Sequence, residues 1–204
     1  EQKDHYYYIT VTNENYIQPE QPKGIEKDVI KGMYKVKDCK NPNIRLIGSG
    51  AILNESIKAQ DILSSYSINA EVWSATSFNL LRKDGMEVER YNQLNPHKEP
   101  KKNHIDNCFG DLDIPVVAST DYMRAYPDQI RPYIKSSFSS LGTDGFGRSD
   151  SREELREFFE INAKHIARLS AFTLFKESKI SKDVLDKIYK STNVNPKKPN
   201  PWEV

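Results

Sequence analysis

The feature that most limits what this chain can fold into is a repeated alternation of short apolar runs with stretches of helical spacing. "NIRLIGSG" is a short apolar run ending in Gly48-Ser49-Gly50. In the "AILNESIKAQDILSSY" that follows, Ile52, Leu53, Ile57, Ile62 and Leu63 recur at the spacing of one helix face. "INAEVWSATSF" reads as a second strand, and "NLLRKDGMEVERYNQLNP" as a helical stretch interrupted near Gly85 and stopped by Pro96. "IPVVAST" is a third, buried strand, and "DYMRAYPDQIRPYI" a helix starting near Thr120 or Asp121. "SFSSLGTDG" is a fourth strand, and the chain from Ser151 to about Lys190 is helical. Strands that alternate with helices need a mostly parallel sheet covered on both faces, because each crossover lays a helix on the sheet.

The ends and connections read differently. "YYYITVTNEN" (Tyr6 to Asn15) is aromatic and β-branched, as strands are. Pro19, Pro22 and Gly24 then break any regular element, so Gln18 to Gly24 reads as a linker. "IEKDVIKGMYKVKD" is a short helix or turn running into a strand, and Asn41-Pro42 is another break. "KEPKKNHIDN" is a basic, polar loop, and the prolines of "NVNPKKPNPWEV" forbid a helix there. A length of 204 residues suits one large domain, or one domain with an extension. The absence of an initiator Met, with an opening inside a strand, suggests a piece of a longer chain.

Charge and cysteines exclude several function classes. The formal net charge is +1, so no global field favours nucleic acid or an anionic membrane. No apolar run approaches the ~20 residues of a membrane span. Cys39 and Cys108 fit neither a disulfide framework nor a CxxC metal site, and are expected to be unpaired thiols in a reducing setting. His5, His97, His104 and His165 lack metal-ligand spacing, and no serine has the GxSxG context of a nucleophile elbow.

Two glycine turns are candidates for phosphate chemistry, and spacing argues against both. "GSGAIL" carries Leu53 where a dinucleotide loop needs a third small residue, and "WSATSF" lacks the acidic residue that would hold a ribose. The expected role is a tight strand-to-helix turn. "GTDGFGRS" has the wrong spacing for a Walker loop and an Arg in place of its Lys. Ser151 followed by Glu154 instead fits a capping box, with Asp150 and Glu153 as an alternative register. Arg148, a planar five-donor cation in that turn, suits a carboxylate of the same chain, of a partner subunit or of a ligand. Ala163, Ala167 and Ala171, four apart, mark a helix that packs closely in the core.

"YYYITVTNENY", "LIGSGAIL", "VWSATSFNLLRKDGMEVERYNQLNP", "VASTDYMRAYPDQIRPYI" and "LGTDGFGRSDSREELREFFE" occur in that order. Together they closely resemble the C-terminal region of the homodimeric-type pyruvate dehydrogenases, thiamine-diphosphate-dependent enzymes of the bacterial pyruvate dehydrogenase complex. The resemblance implies an α/β fold like the transketolase C-terminal domain: a mixed, mostly parallel sheet of about five strands flanked by helices. It implies that residues 1–17 end a preceding, pyrimidine-binding domain, that 18–43 are a linker, and that 44–204 form the C-terminal domain. It further implies a cytoplasmic bacterial homodimer that decarboxylates pyruvate and passes the acetyl group to a lipoyl domain, with dihydrolipoyl acetyltransferase as a partner. Thiamine diphosphate and Mg²⁺ would be bound outside this segment, which carries no GDG…NN string. No catalytic, cofactor-binding or metal residue carries over, so the segment alone is expected to be inactive. Its expected role is structural and dimer-stabilising. Asp144, Gly145, Phe146, Gly147, Arg148 and Ser149 are the candidate contact with a neighbouring domain or subunit. The alternative is a regulatory small-molecule-binding or protein-interaction module of the same fold.

Overall fold

The computed structural model describes residues 4, 6, 9, 11 and 14–204. The strand expected over Tyr6–Asn15 falls largely outside them. Five strands form one sheet: β1 (Met33–Lys37), β2 (Ile44–Gly48), β3 (Ala70–Ala75), β4 (Val116–Ser119) and β5 (Phe138–Leu141). Their order is β1-β3-β2-β4-β5. β3, β2, β4 and β5 run parallel, and β1 lies antiparallel on the edge against β3.

The three central strands are buried along their whole length, which is why they read as near-continuous apolar runs. Their side chains divide between two cores. Leu46, Val72 and Val117 point to one face with helices α2 (Ile52–Ser64), α7 (Ala163–Lys176) and α8 (Lys182–Thr192). Ile47, Trp73, Val116 and Ala118 point to the other with α3 (Phe78–Leu94) and α4 (His104–Phe109). This period-2 division is the geometry of a pleated strand buried on both sides.

Several boundaries differ from the sequence reading. Segment 18–43, read as a linker, contains the short helix α1 (Glu26–Lys31) and the edge strand β1, which pairs with β3 in the domain's sheet. Gly32 joins them at φ +111°, with space for no side chain: a Cβ would lie 2.7 Å from the carbonyl oxygen of Ser77. α3 runs through Gly85 without a break. The ring of Tyr133 lies 2.6 Å from where a Cβ would stand, so this glycine admits a neighbour rather than ending a helix. The basic loop holds α4, begun by Asn103, whose side chain accepts the Asp106 N–H at 2.8 Å.

The single helix expected from Thr120 is instead α5 (Ala125–Asp128) followed by a 3-10 turn at Arg131–Tyr133. Thr120 spends its hydroxyl on the Tyr122 N–H, which holds a turn, and Pro127 and Pro132 cannot donate to a longer helix. The helical tail is three helices, α6 (Arg152–Phe158), α7 and α8. They are separated where Glu160 and Ser178 adopt left-handed backbone at φ +62° and +58°. The C-terminal prolines admit one 3-10 turn, Pro201–Glu203.

Candidate functional site

Because β2 connects toward β3 and β4 toward β5, the crossovers diverge at the C-terminal ends of β2 and β4. Open parallel sheets place ligands at such a divergence. Here hydroxyls close it. Ser49 Oγ donates to Thr120 Oγ1 at 2.8 Å, Ser56 and Ser119 pair through their Oγ atoms at 3.2 Å, and Ser49 N–H donates to the Ser119 carbonyl. A Cβ on Gly48 would lie 2.6 Å from the Cα of Leu53. Here the first glycine of GSG admits the helix backbone directly. That is why Leu53 is tolerated where a dinucleotide loop needs a small residue.

The Gly142–Ser149 loop leaves β5 at the same sheet edge. Gly142 is buried, and a Cβ there would meet the Tyr122 carbonyl at 2.6 Å and the Arg124 nitrogen at 2.7 Å. Three hydrogen bonds hold the loop to this turn: Thr143 N–H to the Tyr122 carbonyl at 2.9 Å, Thr143 Oγ1 to the Asp121 carbonyl at 2.7 Å, and Arg124 N–H to Asp144 Oδ1 at 3.0 Å. Gly145, at φ +102°, is exposed on one side and lies against the C-terminal tail on the other, with Trp202 Cα 2.9 Å from a virtual Cβ. Of the six candidate residues, Asp144 and Gly145 thus anchor the loop.

The other four stand in solvent. Phe146 is 82% exposed, and Gly147, Arg148 and Ser149 are exposed beside it. The Arg148 guanidinium lies 5.2 Å from the Phe158 ring centroid, with Lys198 Nζ 5.4 Å from the same ring. Lys198 also donates to the Glu157 and Phe158 carbonyls at 2.6 Å each, which secures the tail to the end of α6. Ser151 caps α6 as the sequence suggested: its Oγ accepts the Glu154 N–H at 3.3 Å. Asp150 takes the neighbouring role and accepts the Ser151 N–H at 2.7 Å.

Residues not singled out from the sequence complete the surface. Tyr122 and Met123 are exposed on the turn that holds the loop, and Trp202 on the tail that lies against it. Between loop and α6 lies a cavity of about 400 Å³ into which Arg148, Arg152 and Arg156 face. Their spacing of four was the visible sequence signal. Arg152 Nε is 2.9 Å from Glu14, and Arg156 donates to Tyr16 Oη at 3.1 Å. Arg156 is also 3.6 Å from the buried carboxylate of Glu55. Glu55 accepts the Ala163 N–H at 3.0 Å, at the positive end of the α7 dipole, and pairs with Lys58 at 2.9 Å.

Among the described residues, one histidine and one cysteine meet: Cys108 Sγ lies 3.5 Å from His104 Nε2, one turn away on α4. His104 bonds the Met33 carbonyl through Nε2 at 2.8 Å, and His165 bonds Asn162 through Nδ1 at 2.9 Å. Burial lowers the His165 pKa. His97 is exposed, and His5 lies outside the described residues. Both cysteines are free, and burial pushes the Cys108 thiol up to about 12. Among the described residues no group of His, Cys, Asp and Glu could hold a metal ion, and no helix is long and apolar enough to cross a membrane.

The comparisons with known proteins agree with this architecture. Residues 32–162 match the family model described as the transketolase-like TK C-terminal domain. The chain is similar to the pyruvate dehydrogenase E1 component of Pseudomonas aeruginosa, 45% identical over 208 residues, covering 100% of this chain and 24% of that protein. It is 43% identical over 209 residues to that of Cupriavidus necator and 40% identical over 204 residues to that of Escherichia coli K12, covering 23% of each. The chain thus spans about a quarter of the length of these relatives, in their C-terminal region. Among solved structures, a transketolase of Pichia stipitis superposes with a TM-score of 0.54 at 18% identity, over 76% of this chain and 21% of that one. A transketolase of Leishmania mexicana superposes at 0.53 and 19% identity, over 77% and 20%. The mostly parallel five-stranded sheet with its antiparallel edge, the helices on both faces and the match over residues 32–162 place this chain in the transketolase-like C-terminal domain family.

Proposed function

We propose that this chain is the C-terminal part of a pyruvate dehydrogenase E1 component. The whole protein would decarboxylate pyruvate with thiamine diphosphate and Mg²⁺ and pass the acetyl group to a lipoyl domain. The observation that carries this reading is the 40–45% identity to such E1 components along essentially the whole chain. The residues here do not fit the cofactor. The chain has no GDG…NN string, and the described acidic residues form no cation-holding group. No step of the chemistry is therefore routed through this segment.

Its own role in this reading is structural. The exposed Phe146 to Ser149 tip, anchored from behind by Asp144 and Gly145, is the surface offered to a neighbouring domain or subunit of a homodimer. Rigid anchoring supports the reading, because a contact held in place before association loses less entropy on binding. Assays of pyruvate decarboxylation with added thiamine diphosphate and Mg²⁺ test the assignment. The full-length protein is expected to turn over pyruvate and this chain alone to give no rate above background. Turnover by the 204-residue chain, or none by the full-length protein, would overturn it.

A further inference from the structure

We propose that the C-terminal tail, residues 194–204, is a proton-sensitive strap. It holds the end of α6 and the 142–149 loop while His165 is neutral, and lets go when His165 takes a proton. The strap is tied at two places. Lys198 Nζ donates to the Glu157 and Phe158 carbonyls at 2.6 Å each and lies 3.6 Å from Glu160 Oε1. Farther along, the Pro201 carbonyl oxygen and Trp202 Cα lie 3.0 and 2.9 Å from a virtual Cβ on Gly145, so tail backbone rests directly on loop backbone. No residue from 193 to 204 is buried, and none from 149 to 160. Little apolar burial opposes separation, so this layer is a part of the fold that opens at low cost.

Hydrogen bonds connect His165 to the tied end of α6. Glu157 Oε2 accepts from Asn162 Nδ2 at 2.6 Å, which turns Asn162 Oδ1 toward His165. That oxygen accepts the His165 backbone N–H at 3.3 Å and lies 2.9 Å from the ring Nδ1. The ring proton therefore sits on Nδ1, and Nε2 is a bare lone pair, buried with no hydrogen-bond partner. The charged groups that face the ring are Glu157 from α6, Glu160 from the turn after it, Lys198 from the tail and Arg168 from α7 itself. Both carboxylates are engaged, Glu157 by Asn162 and Glu160 by Lys198. A proton on Nε2 thus finds no acceptor in the strapped arrangement, and it adds a third positive charge beside Lys198 and Arg168. A buried donor without an acceptor is costly. Water or the Glu160 carboxylate reaches Nε2 once the tail and the end of α6 move away. Burial lowers the ring's pKa in the strapped state, so the open state binds the proton more readily. Strapping is therefore complete above the ordinary histidine value of 6.5 and weakens as the pH falls below it. The device is internal to the chain and operates whatever the loop tip meets.

Hydrogen exchange of the 204-residue chain, which closes a core on each face of its own sheet, is the test. The reporters are the Phe159, Glu160 and Ile161 amides, which bond to the Leu155, Glu157 and Arg156 carbonyls. Their opening constant, corrected for the intrinsic pH dependence of exchange, should rise up to about 10-fold between about pH 7.5 and about pH 5.5, the limit for one histidine. It should depend less on added urea than that of the β2 and β4 amides, because the opening exposes little surface. His165→Gln should flatten the pH response, and His97→Gln, at an exposed site, should leave it unchanged. Removing residues 194–204 should raise the constant at about pH 7.5 and abolish the response, because Nε2 then meets water at every pH. Thermal unfolding checks that each variant folds, and the parent and truncated chains decide the matter if His165→Gln does not. A constant that is flat with pH in the parent, a slope retained by His165→Gln or by the truncated chain, or a urea dependence equal to that of the central strands would overturn the proposal.

Discussion

Gly142→Ala isolates the anchoring of the loop. The φ of Gly142 is not positive, so alanine meets no backbone penalty and would even restrict the unfolded chain, which by itself stabilises by about 0.4–1 kcal/mol. Against this stands a virtual Cβ 2.6 Å from the Tyr122 carbonyl oxygen and 2.7 Å from the Arg124 nitrogen. Both are backbone atoms and cannot swing aside as a side-chain tip would. The loop and the 121–124 turn must separate, which breaks the Thr143–Tyr122, Thr143–Asp121 and Arg124–Asp144 hydrogen bonds. At about 1 kcal/mol net each, the loss is about 3 kcal/mol and outweighs the gain in the unfolded state. For a chain of this size that lowers Tm by roughly 4–12 °C. Thermal unfolding followed by circular dichroism reads it. In a double-mutant cycle, Asp144→Ala should cost about 1 kcal/mol in the parent and almost nothing after Gly142→Ala, because the bond is already broken. A fall in Tm of under ~2 °C, or full additivity of the two changes, would refute the account of how this loop is held.

Other consequences follow from buried groups. Glu71→Ala removes the carboxylate that pairs with Arg45, itself only 3% exposed, and should cost about 3–5 kcal/mol in urea unfolding by leaving a buried cation unpaired. Glu55→Gln keeps the acceptor for Ala163 N–H but loses the charge at the α7 terminus, and should cost about 1–2 kcal/mol by the same assay. His165 has its pKa lowered by burial, so the unfolded chain binds the proton more readily. Stability should fall as pH drops below the unfolded value near 6.5, and His165→Gln should flatten that dependence. Cys108, with its thiol pushed up to about 12, should resist iodoacetamide at pH 8 in the folded chain. For this thiol the sign is opposite: the unfolded chain loses the proton first, so its contribution to stability falls as pH rises above 9.

Much of the fold was legible because its central strands are buried on both faces. Ile44–Gly48, Ala70–Ala75 and Val116–Ser119 read as apolar runs for that reason. The capping of α6 by Ser151 was legible too, since it depends on residues three apart. What escaped depends on distant residues. Gly85 reads locally as a helix breaker, and only the Tyr133 ring, 48 positions away in the chain, explains it. The edge strand Met33–Lys37 carries three polar or aromatic positions in five and pairs with β3 across α2, so nothing local assigned it to the sheet. At the site, the exposed Arg148 was visible as a cation in a glycine turn. The cavity it shares with Arg152 and Arg156 required knowing that α6 folds back beside the loop.

The most direct test of the central claim removes the loop tip from the full-length protein. Phe146→Ala with Arg148→Ala should raise the dimer dissociation constant at least ~10-fold in sedimentation equilibrium, as loss of interface anchors does. Pyruvate turnover per dimer, measured where the dimer is fully formed, should not change. An unaltered dissociation constant would contradict the proposed contact, and lost turnover in an intact dimer would mean that the loop belongs to the chemistry instead.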